Sequence, residues 1–348
     1  PTVGATLDEA RRCAAFALTE RRAREADHSF SIDHHNLAPA IELCRQLDGI
    51  PLALEMAAAR LPAVGASGVL RLLGERLTML KQAHRGTPAR HETLQATLDW
   101  SCSLLNDVQR AAVYNLAVFS GPFESTMAHV VIAPQASEAE CVDTLCALVD
   151  KSLLRVEPGE PPRYRLYESM RLYALARLRT DGGEADARGK HGLAMAAHAG
   201  DLSKAAPALA HEAILARFSL SYADFDQAFA LACERHDIGV LSQTLTALRM
   251  LDQLRGDVVA TERRLAAVQP LLPEAQGRAR AHILLMRAST GWVDMPEWPS
   301  VVAAEEAVQA WRALGDDKAH LHHALLLLGK ERARTGDCIA AQRALDEA

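Results

Sequence analysis

The stretch that most restricts the fold runs from Leu148 to about Arg179. Leu148-Val149-Asp150-Lys151-Ser152-Leu153-Leu154 ends a helical apolar face and passes into a short strand-like run, and Arg163-Tyr164-Arg165-Leu166 supplies a second run. Between them Pro158-Gly159-Glu160-Pro161-Pro162 enforces a turn, because proline fixes φ and glycine accepts backbone angles other residues avoid. Helical spacing resumes at Glu168 and stops at Asp181-Gly182-Gly183. Helix, two-stranded hairpin and helix, with strands over 153–156 and 163–166, form the outline of a small winged-helix domain.

Elsewhere the pattern is helical. Aromatics make up only 5% of the chain, while Ala and Leu are abundant, a balance that favours packed helices. Leu37, Ile41, Cys44 and Leu47 recur at steps of three and four. Gly49 is placed to close that helix, and Pro51 suits the first turn of the next, which is expected to reach about Leu61 and is rich in alanine. A helix bearing Leu94, Leu98 and Leu104-Leu105 leads to Asn106-Asp107, a capping pair. A second carries Val113, Leu116, Ala117 and Phe119, and a third is expected over about 137–149. Beyond Lys190 everything reads as helix, with a weak repeat of about 41 residues that sets Glu306-Ala307 against Glu347-Ala348 and Ala288 against Gly329. That exceeds the ~34 of a tetratricopeptide repeat, an excess ascribed to the segment Met295-Pro296-Glu297-Trp298-Pro299. Gly315-Asp316 and Gly336-Asp337 fall where such repeats turn.

The expected fold is therefore mainly α: a small helical domain over 1–85, a winged-helix-like domain over 86–180, and tetratricopeptide-like helical repeats over 190–348. Pro1 in place of Met and a C-terminus inside a helical pattern suggest a piece of a longer polypeptide. Seven cysteines lie scattered without a Cys-x-x-Cys pair, which fits neither a disulfide framework nor a zinc knuckle and suits a reducing cytoplasm. No basic and apolar leader opens the sequence and no apolar run approaches membrane-spanning length. A net charge of −6 argues against a whole-surface grip on nucleic acid.

Three segments carry a family resemblance: Asp48-Gly49-Ile50-Pro51-Leu52-Ala53-Leu54, Thr93-Leu94-Gln95-Ala96-Thr97-Leu98-Asp99-Trp100-Ser101, and the helix–hairpin–helix stretch. Together they resemble the region downstream of the nucleotide domain in bacterial STAND-class (NB-ARC-like) signal-transduction ATPases that regulate transcription. Tyr222-Ala223-Asp224-Phe225-Asp226-Gln227-Ala228-Phe229 is similar, more faintly, to that family's linker into its helical repeats. The resemblance implies that Gly49 and Pro51 belong to a Gly-x-Pro-Leu motif whose proline packs on adenine; the alternative is a plain helix–helix corner. It also aligns Tyr167 and Glu168 with a His-Asp pair whose histidine senses the β-phosphate of ADP. Tyrosine can donate a hydrogen bond but carries no positive charge, so Tyr167 is either a nucleotide contact or a cap on the core with Arg165 or Arg171 facing outward. The phosphate loop Gly-x-x-x-x-Gly-Lys-Ser/Thr does not occur in the sequence, so this chain is not expected to hydrolyse ATP.

Other constellations read as structural. His320, His322 and His323 lack carboxylates or thiols at ligand spacing and read as a solvated or partner-facing patch, so no metal is expected. His34-His35 beside Asp33 reads as a helix start, Cys141 and Cys146 as core thiols, and Ser67 lacks the flanks of a nucleophile elbow. Glu138, Glu140, Asp143 and Asp150 on the third helix would repel phosphates, which favours a structural winged helix over a DNA reader.

The functional expectation is a regulatory and sensor portion of an ATP-dependent regulator. ATP or ADP would be held with an upstream nucleotide domain, a protein or small-molecule effector would bind the repeats, homo-oligomers would form on opening, and DNA would be bound through a domain absent here. The alternatives are a non-enzymatic adaptor and a DNA reader acting through the winged helix.

Overall fold

The structure is a computed structural model that describes residues 5–47, 49–83, 89–290, 299–315 and 317–348, with the side chains of residues 73–83, 89–94, 96 and 207 outside that description. Asp48, the Leu94 side chain, Asp316 and residues 295–298 of the expected insertion therefore lie outside the described set. The chain is mainly α-helical, and the described residues hold one two-stranded antiparallel sheet. It divides into two compact units, residues 1–187 and 188–348. The helical and hairpin segments expected as separate domains both fall within the first.

The first unit opens with α1 (Leu7–Arg11), α2 (Ala14–Ala26), α3 (Leu37–Gln46), α4 (Pro51–Ala58) and α5 (Leu61–Ala83). At the α3–α4 corner the Leu47 amide donates to the Leu43 carbonyl at 3.0 Å and the Gly49 amide to the Cys44 carbonyl at 3.2 Å. Gly49 has φ 64°, a left-handed backbone that a side chain would strain. Pro51 occupies the first turn of α4, where its missing N–H leaves no helical bond unmade. α4 stops at Ala58, short of the expected Leu61. Continuing it would require residue 62 to donate to the Ala58 carbonyl, and Pro62 has no N–H to give. Ala53, Ala57 and Ala58 are fully buried, and α2 packs on α4. Around them Phe16, Leu43, Leu47, Leu54 and Leu61 form a core that also takes in Trp100; each such side chain contributes about 1.5–3 kcal/mol.

Trp100 belongs to α6 (Ala89–Ser103), which ends before Leu104-Leu105. Asn106 then caps α7 (Asp107–Leu116), its side-chain oxygen accepting the Gln109 amide at 2.8 Å. The structure adds a helix the sequence reading did not separate, α8 (Ser125–Ile132). Its Ser-Thr-Met-Ala-His-Val-Val-Ile is short and rich in β-branched residues, which blurs any 3.6-residue period. α9 (Glu138–Asp150) starts on a capping box formed by Ser137 and Glu140. β1 (Leu154–Glu157) and β2 (Arg163–Leu166) pair with Leu154 opposite Leu166 and Val156 opposite Tyr164. Phe123 extends the pairing, exchanging hydrogen bonds of 2.9 and 2.8 Å with the Tyr164 backbone. Its ring stacks on Phe119 at 4.6 Å. α10 (Glu168–Thr180) packs on α7 and ends before Gly182, which has φ 73°.

The second unit is a chain of helices. It holds most of α11 (Glu184–Ala205), then α12 (His211–Phe218), α13 (Tyr222–Arg235), α14 (Ile238–Arg255), α15 (Val258–Val268), α16 (Gly277–Ala288), α17 (Ser300–Leu314), α18 (Lys318–Arg334) and α19 (Cys338–Glu347). From α14 onward helices begin 18 to 23 residues apart, so a pair repeats about every 40. The excess over a tetratricopeptide pair is already present between the starts of α14 and α16, ahead of the segment to which it was ascribed. Long helices such as α14 and the 3-10 stretch Gln269–Glu274 account for it. Asp237, Asp257, Asp317 and Asp337 each cap a helix by accepting the amide three residues on, at 3.0–3.1 Å. Three of them follow directly on a left-handed residue, His236, Gly256 or Gly336. Gly329 of α18 lies so close to α19 that a Cβ there would stand 2.7 Å from Leu345 Cγ. Ala288, its counterpart in the 41-residue alignment, is also buried, at 1% exposed.

Candidate functional site

The three main segments that carry the resemblance all lie in the first unit, and the fainter one, Tyr222 to Phe229, lies in the second. Pro51 stands exposed at the start of α4. One turn further along that helix, Glu55 Oε2 accepts the Tyr167 hydroxyl at 3.0 Å. Tyr167 is the residue before α10, immediately after the hairpin. Burial, and then the Glu55 carboxylate, push its pKa up to about 12, so it keeps its proton and donates it to Glu55. A second link runs beside this one. Ser152, in the turn between α9 and β1, is fully buried with φ 58°. Its hydroxyl accepts from Arg22 Nε at 3.1 Å and Arg22 Nη2 at 2.8 Å. Arg22, on α2, also lies in electrostatic range of Tyr167.

Positive charge gathers at this corner. Burial lowers the pKa of Arg60, and its Nη2 is shut from solvent without a hydrogen-bond partner among the described residues. Lys151 is lowered by burial and then by Arg60, and its ammonium donates to Gln109 Oε1 at 2.8 Å. Glu55 and Tyr167, and Arg22 and Ser152, are thus bonded pairs that involve α4, the start of α10, α2 and the turn after α9; Arg22 acts electrostatically on Tyr167, and Arg60 on Lys151, the neighbour of Ser152.

The Thr-Leu-Asp-Trp-Ser segment makes a third link. While Trp100 enters the helical core, Asp99 accepts the Tyr173 hydroxyl and pairs with Arg177 Nη2 at 2.7 Å, both from α10. The Asp99 hydrogen bond leads the influences that raise Arg177, and burial leads those that raise Tyr173. Glu55, Arg22, Ser152, Asp99, Tyr173 and Arg177 were not singled out from the sequence. Ser152, Asp99, Tyr173 and Arg177 lie inside the recognised segments and Glu55 directly follows one, but the partners are 74 to 130 residues apart, a distance that no local periodicity reports.

Gly49 and Pro51 share one corner, and Tyr167 is tied to the same helix through Glu55. Glu168 is paired with Arg171 by hydrogen bonds of 2.9 and 2.8 Å. Cys141 is a core thiol, pushed up to about 11 by burial, whereas Cys146 is exposed: on α9 the two residues project to different faces. His34 and His35 sit in a turn, with the His35 amide donating to Asp33, and Ser67 is an exposed helical residue. His320 stacks on Trp311 at 4.6 Å and bonds Asp317 at 2.7 Å, while His323 is exposed. Among the described residues no group of three or more His, Cys, Asp or Glu could hold a metal ion, and no helix is long and apolar enough to cross a membrane.

The chain is related in sequence to bacterial regulatory proteins. It is 35% identical over 237 residues to a Mycobacterium tuberculosis protein provisionally named as an HTH-type transcriptional regulator, a match covering 68% of this chain and 27% of the relative. An uncharacterized protein of the same species is 38% identical over 177 residues, covering 50% of this chain and 44% of that protein. Regulatory protein AfsR of Streptomyces coelicolor is 31% identical over 143 residues, 40% of this chain and 14% of AfsR. The chain thus spans about a quarter of the length of the first relative. No family model matches it.

Proposed function

We propose that this chain is the regulatory and sensor portion of a cytoplasmic, ATP-dependent transcriptional regulator of the STAND type. The observation that carries the reading is the Tyr167–Glu55 hydrogen bond, which fastens the start of α10 to the Gly-x-Pro-Leu helix one turn from Pro51. A nucleotide held against α4 would in this way act on the hairpin domain through the same helix. The relatives named as regulators support the broader class.

On this reading Pro51, exposed and rigid, is the surface offered to an adenine, with Gly49 setting the corner. Tyr167 is a latch: its proton is engaged by Glu55, and a phosphate brought to it would meet that carboxylate. The cations Arg22, Arg60 and Lys151 are better suited to a phosphate or to acidic groups of an upstream nucleotide domain. We assign no catalytic step to this chain; ATP hydrolysis would belong to that upstream domain. The repeats of the second unit would bind a protein or small-molecule effector, and the effector must prefer the open, oligomerising form in order to shift the equilibrium. The exposed acids of α9, Glu138, Glu140, Asp143 and Asp150, favour a structural role for the hairpin domain, leaving DNA to another part of the protein.

The test is ADP and ATP binding by the longer polypeptide that includes the upstream segment. Pro51→Ala is expected to weaken binding by about tenfold, the loss of one well-packed contact. Unchanged affinity would remove Pro51 from the site.

A further inference from the structure

Glu20 of α2 is a buried carboxylate shared by two arginines. Arg11, the last residue of α1, donates to it from Nε at 3.0 Å and Nη2 at 2.8 Å, and Arg24 donates from Nη2 at 2.9 Å. The Glu20 side chain is only 8% exposed, whereas those of Arg11 and Arg24 are 40% and 49% exposed. The Arg11 hydrogen bonds lower the Glu20 pKa against the opposing effect of burial, so the carboxylate stays charged and keeps both guanidiniums pinned to it.

These three residues line a surface cleft of about 480 Å³ together with Ala17, Arg21, Glu25 and His28. Ala17, Arg21 and Arg24 follow at steps of four and three and so share one face of α2, and His28 stands just past its end. Arg11 Nη1, Arg24 Nε and Arg24 Nη1 have no hydrogen-bond partner among the described residues, and Arg21 makes only a loose ion pair with Glu25, at 3.7 Å. Glu25 is itself held by Arg22 Nη1 at 2.9 Å. Both carboxylates of the cleft are thus already bonded to arginine, while three of its guanidiniums keep donors to spare. A second cleft, of about 750 Å³, shares His28 and is lined beyond it by Ala26, Ala59, Pro62 and Ala63, with Asp27 and Ser29 bonded to each other at 2.7 Å.

We propose that the α1–α2 cleft binds a phosphate group, with Arg11, Arg21 and Arg24 as its contacts. Three guanidiniums on two helices offer donors from separate positions, which suits the several oxygens of a tetrahedral anion better than the two of a planar carboxylate. The group is either free phosphate or the head of a small phosphate monoester whose organic part lies past His28 against Ala59, Pro62 and Ala63. The site shares no residue with the Pro51–Tyr167 corner and goes beyond the regulator reading.

The experiment is calorimetric titration of the full chain with inorganic phosphate, phenyl phosphate and acetate at matched ionic strength. Saturable phosphate binding is expected, weakened about tenfold by Arg24→Met and severalfold by Arg21→Met. Arg45→Met, at an exposed arginine of α3 outside the cleft, should leave it unchanged. Arg24→Lys keeps the charge without the fork and should bind between the native chain and Arg24→Met. Tighter binding of phenyl phosphate identifies an ester as the ligand, and equal or weaker binding identifies free phosphate. Acetate binding as tight as phosphate binding, no saturable phosphate binding, or binding indifferent to the Arg21 and Arg24 variants each overturns the proposal. Circular dichroism checks the fold of each variant; the Arg21 side chain is 71% exposed, so Arg21→Met keeps the test open should Arg24→Met unfold. Nucleotide binding and its dependence on Pro51 are measured separately, so failure of the phosphate cleft and failure of the regulator reading are distinguishable.

Discussion

The two units are held together over different distances along the chain. In the first, side-chain hydrogen bonds join residues 112, 130 and 74 positions apart: Tyr167 to Glu55, Arg22 to Ser152 and Tyr173 to Asp99. In the second, links run between neighbouring helices, and Arg264 to Tyr222, at 42 positions, is among the widest. Four of the helices there begin on their own aspartate, and helices pack on the ones beside them. A near-neighbour array confines a disturbance to adjacent helices. The first unit, closed by long-range polar links, should pass a disturbance from its helical core to its hairpin.

The largest expected effect probes the long-range side of that contrast. Asp99→Ala removes the acceptor of a buried tyrosine and the counter-charge of Arg177, at a cost of about 2–3 kcal/mol. Hydrogen exchange should rise in α10, far along the chain from the substitution, while α14–α19 remain protected; a rise confined to α6 would break the comparison.

Acid tests the second unit. His282 packs against Trp311 and His320, each 5.0 Å away between ring centroids. Burial, then His320 and Arg278, hold its pKa down to about 4, with Asp317 opposing. Its unfolded value is about 6.5. Between these values the unfolded chain takes up a proton that the folded chain refuses, so this contribution is present above pH 6.5 and is lost as pH falls toward 4. The loss amounts to about 2 kcal/mol. Urea unfolding midpoints at pH 7 and pH 4.5 should differ less in His282→Gln; an identical difference would place the acid sensitivity elsewhere.

The smallest effect sharpens the role of Tyr167. Tyr167→Phe deletes one hydrogen bond and leaves Glu55 without its donor, costing about 1 kcal/mol. If Tyr167 is a latch, exchange should rise at both the start of α10 and α4. A change in α10 alone would make it a local cap.

Local signals in the sequence carried local structure well. Gly49 with Pro51, Asn106 and the Pro-Gly-rich hairpin turn each act within a few residues, and the structure places a corner, a cap and a turn there. Boundaries moved where a backbone donor was missing, as Pro62 ends α4 at Ala58, or where the period was blurred, as in α8. The links at the site were not legible. Glu55, Ser152 and Arg22 look like ordinary polar residues until the fold brings their distant partners within 3.1 Å.

Ser152 places two demands on one position. A left-handed backbone is easiest for glycine, and asparagine tolerates it better than most residues, yet Arg22 needs a hydroxyl at that point. Glycine would relax the chain and cut the tie, whereas threonine would keep the hydroxyl and strain the backbone further through its β-branch. The turn after α9 is therefore a narrow gate for substitution: very few side chains satisfy both its torsion and its chemistry, and a replacement that stabilises this turn in isolation can still uncouple it from α2.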